Sequence, residues 1–366
     1  MKLAVTPTVF IGLGGTGTLI LQKLRKRMEH RIGTADLPFL RYLYVDTHAD
    51  SATKALQGLE GDRRKWSVAN VVEPPDDVIR SIQDPNRDHG VVSRRLRVAE
   101  WFDERMRQRL STVGFSQGVG GQRMFSHLAF LASGNLAGLR QALIDFHQQL
   151  ITSVSLQGQP LEGLDPSWLV LTPTRVLTSV RFVVVTSSGG GTGSGSFIDV
   201  VFLLRRLRRE LNWSTQSVTQ VGHAALARPG VSKDLELRNT AALLTELDHY
   251  DGSMQYEYSY LTDQDGVAVP PERNPPFDQV YLSIPAQQDR PLDADPARAF
   301  NELQWKIAEH LLTGTVAVYR DETPDEKVKL PSESSQGAIA WQADAVANNP
   351  KGFFTFGVSS REWPAG

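Results

Sequence analysis

The chain has 366 residues, of which 40% are hydrophobic and 22% are charged, so it is long enough to bury one large core or two smaller ones. Its 39 basic and 41 acidic residues give a net charge of -2, which offers no overall attraction to nucleic acid or to an acidic membrane surface. The absence of cysteine excludes disulfides, thiolate nucleophiles and thiolate-bound zinc.

The first part of the chain follows a pattern of strand, glycine-rich turn and helix. Residues 8–11 form a β-branched and aromatic run, the turn starts at Gly12, and an amphipathic helix is established by Leu19. A second strand at 40–45 ends on Asp46, which completes a βαβ unit of the length that a parallel crossover requires. This unit predicts a parallel sheet.

Strands and helices alternate along the rest of the chain, as they do in α/β proteins. The apolar run 179–186 is typical of a strand buried on both faces. Hydrophobic periodicity predicts helices at 124–150, 198–211, 237–247 and 296–312, and further strands at 217–225, 279–284 and 352–358. The proline-containing polar segments 52–107 and 251–277 are interpreted as excursions from the domain.

Two glycine-rich turns stand between a strand and a helix. The first runs from Gly12 to Thr18, and the second holds five glycines among residues 189–195. Glycine lets the backbone approach an anion closely, and the start of the following helix supplies N–H groups and the positive end of a dipole. Both turns are therefore candidate phosphate-binding loops. Neither is a Walker A loop, because neither ends in Gly-Lys-Ser/Thr.

The first loop alone leaves two other interpretations open. Gly12, Gly14 and Gly17 match the dinucleotide fingerprint, and Asp46 stands where an acid would bind ribose in an NAD(P)- or FAD-binding Rossmann oxidoreductase. The other interpretation is a tight turn that binds nothing. The second loop favours a different pocket, because an ordinary Rossmann domain needs only one phosphate loop.

The segment from Val183 to Gly195, with its strand and helix start, resembles the signature of the tubulin/FtsZ superfamily, and the chain is most similar to its divergent bacterial tubulin-like members. The resemblance implies a Rossmann-like parallel sheet flanked by helices. It implies a nucleotide-binding domain at 1–295, a long linking helix at 296–318 and a partial second domain at 319–366. It also implies GTP or GDP and Mg²⁺ as cofactors.

The resemblance assigns candidate nucleotide-binding residues by their positions in matching loops and helices. The phosphate and metal loops supply Gly12, Gly14, Gly15, Thr16, Gly17, Asp46, Thr47, Gly120, Gly121, Gln122, Gly189, Gly190, Gly191, Thr192, Gly193, Ser194 and Gly195. Within this set, Gly120, Gly121 and Gln122 resemble the loop that senses the terminal phosphate. Sugar and base contacts are implied for Glu236, Arg238, Asn239, Phe300 and Asn301.

Three of the sugar and base positions depart from a simple match. Glu236 is explained equally well as a carboxylate favoured by the dipole of its helix, and Phe300 as a core residue. After Ile284 the family often has an asparagine that reads guanine, whereas this chain has Ala286 and then Gln287. Guanine recognition at that strand end is therefore an open point of the resemblance.

Catalysis is the least supported part of the resemblance. The family hydrolyses GTP when a second subunit supplies an acidic loop, and no Asn-x-Asp-x-x-Asp/Glu pattern follows the long helix here. Asp321, Glu322 and Asp325 fit an exposed turn better, so catalytic residues are unknown. His127 and His223 show no metal-ligand spacing, and we expect them to be packed or exposed, with no metal held by protein ligands alone.

We therefore expect a GTP-binding protein that self-associates head to tail, with slow phosphoryl transfer to water as a possible activity. The alternative within the same fold is a nucleotide-responsive interaction module without turnover. We expect the protein in the cytoplasm, with no nucleic-acid partner and no direct membrane insertion, because no apolar run approaches the ~20 residues that span a bilayer.

Overall fold

The computed structural model describes residues 2–48, 66–70, 105, 108, 118–131, 133–153, 170–171, 180–213, 218–228, 232–251, 276–285, 296–319 and 353–354. The strands are β1 (Lys2–Val5), β2 (Thr8–Leu13), β3 (Leu40–Asp46), β4 (Trp66–Asn70), β5 (Val170–Leu171), β6 (Val180–Ser187), β7 (Val218–Ala225), β8 (Gln279–Ser283), β9 (Val316–Tyr319) and β10 (Phe353–Phe354). The helices are α1 (Gly14–Ile32), α2 (Arg123–Leu131), α3 (Ser133–Ser153), α4 (Gly191–Glu210), α5 (Asp234–Asp251) and α6 (Pro296–Thr315).

Within these ranges, seven strands form one sheet in the order β10-β8-β7-β6-β2-β3-β4. Every neighbouring pair in it is parallel, so all seven strands end at the same edge, called here the carboxyl edge. A smaller sheet joins β1 to β5 in parallel and to β9 in antiparallel orientation. The predicted α/β fold with a Rossmann-like parallel sheet is confirmed.

Helices cover both faces of the large sheet because its strands are apolar on both sides. In β2, Val9 and Ile11 pack into a buried cluster with α2, α3, α4 and α5. Phe10, between them, belongs to the cluster on the opposite face with α1 and α6. This alternation is the two-residue period of a strand, here filled with large apolar side chains in both directions.

The predicted elements are confirmed with shifted limits. The region 124–150 forms two helices, α2 and α3. α4 begins seven residues before its predicted start and ends one residue before its predicted end, α5 extends by three and four residues at its two ends, and α6 extends by three residues at its end. The strand predicted at 352–358 is described only at Phe353–Phe354, where it pairs with β8 and so extends the large sheet. Most of the predicted partial second domain at 319–366 and of the excursion at 251–277 lies outside the described residues.

One strand of the large sheet falls inside a segment interpreted as an excursion. β4 pairs in parallel with β3 through five residues, from Tyr42 opposite Trp66 to Asp46 opposite Asn70. The segment 52–107 is charge-rich, and five residues are too short a window to reveal a period against that background. In the described part of the chain, no helix combines the length and the apolar character needed to cross a membrane.

A cluster of two histidines, His223 buried and His310 partly buried, links α6 to the sheet. His223 of β7 stacks on Tyr281 of β8 with 4.7 Å between ring centroids, and His310 of α6 lies 5.3 Å from His223. Burial, aided by His310 and Arg181, lowers the pKa of His223 well below its ordinary value. Burial and Arg181 lower the pKa of His310 to about 4. Both rings are therefore neutral in the folded protein at neutral pH.

This cluster predicts a loss of stability in acid. In the unfolded chain both histidines bind a proton near pH ~6.5, so below that pH the unfolded state binds more protons than the folded state. We expect the free energy of unfolding to fall by up to about 1.4 kcal/mol per pH unit for each histidine as the pH drops from ~6.5 toward ~4. Urea unfolding at a series of pH values measures this slope.

The matched variants are His310→Leu, which removes one titrating ring, and His30→Gln, which changes an exposed histidine of α1. His310→Leu is expected to flatten the pH dependence, and His30→Gln is expected to keep the wild-type slope. Identical slopes for His310→Leu and the wild type would contradict the assignment.

Candidate nucleotide-binding site

Two adjacent strands of the large sheet end in the two glycine loops. β2 and β6 are parallel neighbours, with Gly12 opposite Val185. From β2 the chain continues to β3 and β4 on one side, whereas β6 continues to β7 and β8 on the other, so the strand order reverses between them. In open α/β sheets, ligands bind at this switch point beyond the carboxyl ends of the strands.

The helices that follow these strands start without a side-chain cap. Leu13 caps α1 and Gly190 caps α4, and neither makes a side-chain hydrogen bond to its helix. The first turn of each helix also lacks an acidic residue. The first N–H groups of a helix have no partner within the helix, and an anion is a favourable partner for them.

The two glycine loops pack directly against each other. A Cβ atom at Gly14 would lie 3.2 Å from the backbone N of Gly193 and 3.4 Å from Cβ of Thr192. In the other direction, a Cβ at Gly193 would lie 2.9 Å from the carbonyl O of Leu13. The structure thus brings residues 12–17 and 189–195 into one continuous surface, which the sequence alone left as two separate candidates.

The backbone carbonyls of the second loop are held by donors from other elements. Ser126 Oγ donates to the Thr192 carbonyl at 3.0 Å, and Arg123 Nη2 donates to the Ser194 carbonyl at 2.8 Å. Asn239 Nδ2 donates to the Gly189 carbonyl at 2.9 Å. Carbonyl oxygens repel phosphate, so fixing them against these donors leaves the opposite, N–H-bearing side of the loop suited to an anion.

Asp46 and Thr47, at the end of β3, lie against the second glycine loop. Thr47 Oγ1 and Thr192 Oγ1 are 2.6 Å apart, and Thr192 Oγ1 donates to Asp46 Oδ1 at 3.3 Å. The same carboxylate oxygen accepts the backbone N–H of His48 at 3.2 Å. Asp46 therefore faces the second loop, which differs from the ribose-binding position expected for a dinucleotide site.

The loop at 118–122 completes this edge of the site. Gly118, Gly120 and Gly121 all have positive φ, at 88°, 56° and 80°, a conformation that favours glycine. The 118–122 loop packs closely on the start of α4. No side chain fits at Gly191 of α4, because a Cβ there would lie 2.6 Å from the carbonyl carbon of Gly121. The backbone N–H of Gln122 donates a hydrogen bond to the Val119 carbonyl at 2.9 Å, which fixes the end of the loop.

The start of α5 lies beside both loops. Glu236 Oε2 accepts the Lys233 N–H at 3.0 Å, and a Cβ at Gly189 would lie 3.0 Å from Cβ of Glu236. Glu236 thus accepts a backbone hydrogen bond at the helix start, in line with its structural explanation. It also borders the 189–195 loop, where the sugar contact was predicted. Arg238, by contrast, is exposed and pairs with Asp234 at 2.7 Å on the outer side of the helix.

The two residues predicted on α6 differ in burial. Phe300 is partly buried and packs against the cluster that contains α1, in line with its structural explanation. Asn301 is exposed. Thr16 is half-buried in the first turn of α1. Ala286 and Gln287, the predicted guanine-reading position, lie outside the described residues.

Two glycines of the site are required by neither packing nor backbone conformation. No atom lies within 4 Å of a Cβ built at Gly15 or at Gly190. Neither has positive φ, and Gly190 has the ordinary extended values φ -74° and ψ 154°. Gly120 has similarly open surroundings, but its positive φ accounts for it.

Open surroundings alone do not define a site, because Gly138, within α3, has them too. Gly15 and Gly190 are distinguished by their place. Each lies at the start of a helix without a side-chain cap, beside the other loop, at the switch point of the sheet. A ligand that approaches the backbone closely would account for glycine at both positions.

Sequence reasoning missed the polar network behind the site. Arg123 binds both carboxylate oxygens of Glu246, at 3.0 and 2.5 Å, and His127 Nδ1 lies 2.6 Å from Asp199 Oδ2. Burial disfavours the charged imidazole, but Asp199 outweighs that effect and raises the pKa of His127. These partners are 72 and 123 residues apart in the chain, and only the fold pairs them. Within the described residues, no group of three or more metal-binding side chains is present.

The family model described as "Tubulin like" matches residues 9–366. Similar solved structures include CetZ from Methanosaeta thermophila strain DSM 6194 (14% identity, TM-score 0.43), the GTPγS-bound protofilament of CetZ2 from Haloferax volcanii (13%, 0.41) and a GTPγS-form protofilament of TubZ from Bacillus thuringiensis serovar israelensis (13%, 0.42). They cover 84%, 84% and 91% of this chain, which in turn spans 53%, 57% and 61% of theirs. No curated protein matches the sequence.

Proposed function

This chain belongs to the tubulin-like family, and on that premise we propose that it binds GTP and GDP at the carboxyl edge of the large sheet. The observation that carries the proposal is the convergence of Gly15 and Gly190 at two adjacent helix starts without side-chain caps. Backbone N–H groups of both loops would hold the phosphates, and the dipoles of α1 and α4 would favour their negative charge.

The side chains near the loops fit a phosphate-bound magnesium ion. The Thr192 hydroxyl lies within hydrogen-bond distance of both the Asp46 carboxylate and the Thr47 hydroxyl, which gathers one carboxylate and two hydroxyl groups there. Mg²⁺ prefers oxygen ligands and is often held by one or two carboxylates together with substrate phosphates. When bound, the ion would neutralise part of the phosphate charge, while Asp46 and the two threonines would orient it.

The position of Asp46 favours this proposal over a dinucleotide oxidoreductase. In that alternative, the acid after the second strand binds the ribose hydroxyls. Here Asp46 is 6% exposed, and its Oδ1 accepts bonds from Thr192 and His48. The second loop has no task in a one-loop dinucleotide site, whereas both loops are used by a bound triphosphate.

The test of the proposal is a comparison of nucleotide affinities for the purified protein. We expect GTP and GDP to bind more tightly than ATP, NADH or NADPH, and we expect removal of Mg²⁺ to weaken GTP. If GTP shows no preference over these competitors, the proposal is wrong. If GTP is preferred, slow release of phosphate from the bound GTP would distinguish a hydrolase from an interaction module without turnover.

We also propose that the chain self-associates head to tail, because exposed apolar side chains occur at both ends of the sheet. Leu19, Leu235 and Ile284 are 44%, 38% and 50% exposed near the carboxyl edge. Ile151 and Leu211, at the far ends of α3 and α4, are 41% and 38% exposed at the opposite edge. Two different surfaces at opposite ends suit a heterologous contact that repeats along a filament.

Leu211→Asp is expected to weaken self-association about 100-fold, because burying an unpaired carboxylate costs a few kcal/mol. Sedimentation with GTP measures assembly, and GTP binding by the monomer should be unchanged. Ala241→Asp places the same charge on an exposed side of α5, away from both ends, and should assemble normally. Equal assembly of Leu211→Asp and wild type would contradict the head-to-tail arrangement.

A further inference from the structure

Helix α5 is joined to the candidate site through a row of polar side chains on one face. Asn239 Nδ2 donates to the carbonyls of Gly121 and Gly189, at 2.8 and 2.9 Å. On the same helix, Thr240 Oγ1 lies 2.6 Å from Ser188 Oγ. Asn239 and Thr240 are 6% and 8% exposed. The row therefore lies inside the protein, between α5 and the ends of the loops.

The Asn239 amide is well suited to join two loops. Its two N–H groups point at two carbonyl oxygens, which fixes the orientation of the amide because an oxygen in that place would face two acceptors. One carbonyl belongs to the 118–122 loop and the other to the 189–195 loop, although these loops are about 70 residues apart in sequence. Asn239 is thus a direct link between them.

A second link lies two turns further along the same face of α5. Glu246 binds Arg123, which is the first residue of α2 and directly follows the 118–122 loop. Arg123 also donates to the carbonyl of Ser194. Positions 239 and 246 are seven apart, so both side chains project from one side of the helix. α5 therefore bonds both loops directly through Asn239, and through Glu246 it holds Arg123, which follows the 118–122 loop and binds the Ser194 carbonyl of the other loop.

We propose that Asn239 is a positioning residue that clamps the 118–122 loop onto the 189–195 loop, and so sets the affinity for the phosphate groups of the nucleotide. The inference rests on the proposed function, and it differs from the predicted direct contact of Asn239 with sugar or base. A preorganised anion site binds tightly because its N–H groups are already in place. Without the clamp, the buried carbonyl of Gly189 and the partly buried carbonyl of Gly121 lose the Asn239 donor, and the loops separate.

The variants are Asn239→Ala, which removes both donors, and Asn239→Asp, which keeps the shape but sets a carboxyl oxygen against two carbonyls. Thr245→Ala, at an exposed position of the same helix, is the control. We expect GTP affinity to fall about 10-fold for Asn239→Ala and about 100-fold for Asn239→Asp. Affinity for guanosine, which lacks phosphates, should stay within about twofold of wild type in all three variants.

Hydrogen exchange of the two loops without nucleotide separates this inference from the proposed function. In Asn239→Ala, amides at 118–122 and 189–195 are expected to exchange faster, while those of β2 and β6 are unchanged. If the loops keep wild-type exchange, or if GTP and guanosine weaken equally, the positioning role is wrong. If the wild type binds no guanine nucleotide but its loops still loosen in Asn239→Ala, the proposed function fails and the clamp stands.

Discussion

Gly190→Ala is expected to abolish most GTP binding while leaving the stability of the protein nearly unchanged. The backbone at Gly190 has φ and ψ values that alanine adopts, and its Cβ would meet no atom within 4 Å. Alanine has less conformational freedom than glycine in the unfolded chain, which favours the variant, whereas alanine is a poorer N-cap than glycine, so the two effects offset each other to within about 1 kcal/mol.

The loss of binding has a direct steric cause. A methyl group at Gly190 would occupy the space in which a phosphate approaches the start of α4. Breaking even one or two charge-assisted hydrogen bonds costs about 3 kcal/mol, which is roughly a 100-fold weaker affinity. Gly15→Ala acts on α1 in the same way and should raise stability, because alanine is the better residue within a helix.

Calorimetric titration with GTP and thermal unfolding measure both halves of this prediction. Gly138→Ala is the matched control, because Gly138 is equally open but lies in the second turn of α3, outside the two glycine loops. It should raise stability by about 0.5–1 kcal/mol and leave GTP affinity unchanged. Wild-type affinity in both Gly15→Ala and Gly190→Ala would refute a phosphate position against these two backbones.

Gly17→Ala is expected to have the opposite effect, a severe loss of stability. A Cβ at Gly17 would lie 2.4 Å from the carbonyl O of Val185 and 2.9 Å from the carbonyl carbon of Gly12. Both contacts are to the backbone of the sheet, so no side-chain rotation can relieve them. To make room, α1 would have to move away from β2 and β6 and open the core beneath it.

We expect Gly17→Ala to lower the free energy of unfolding by about 3 kcal/mol or more, as overpacking against backbone does. Urea unfolding measures the change, and Gly15→Ala, two residues earlier in the same helix, is the control. Saturating GTP should recover part of the loss if the site still forms, since ligand binding stabilises the folded state. A Gly17→Ala protein as stable as wild type would contradict the packing of this helix on the sheet.

The two glycine-rich loops could be predicted from the sequence. Which glycines are required by packing and which stand in open space could not. Gly15 and Gly17 belong to one motif, yet only the fold places Val185 against one and open space beside the other. Spacing reveals that a turn needs glycine, whereas a steric neighbour from a distant strand is invisible in one sequence. The same reason explains why Gly193, beside Leu13, could not be assigned to a loop–loop contact.

The parallel sheet was predictable because its strands are apolar on both faces and are spaced by amphipathic helices. β4 was not, because five residues in a charge-rich segment carry no clear period. For the site, Asp46 and Thr47 were predicted near the phosphates by resemblance, and their contact with Thr192 required the structure. Asn239 was predicted as a direct contact, and its bonds to two carbonyls are the observation behind the positioning role that we propose.

The most direct measurement of the central proposal is backbone hydrogen exchange with and without GTP. If the two glycine loops hold one set of phosphates, GTP should slow exchange of amides at both 14–18 and 190–194, and ATP at equal concentration should do so less. Protection of the first loop alone, with NADH as effective as GTP, would contradict the proposal and favour a one-loop dinucleotide site.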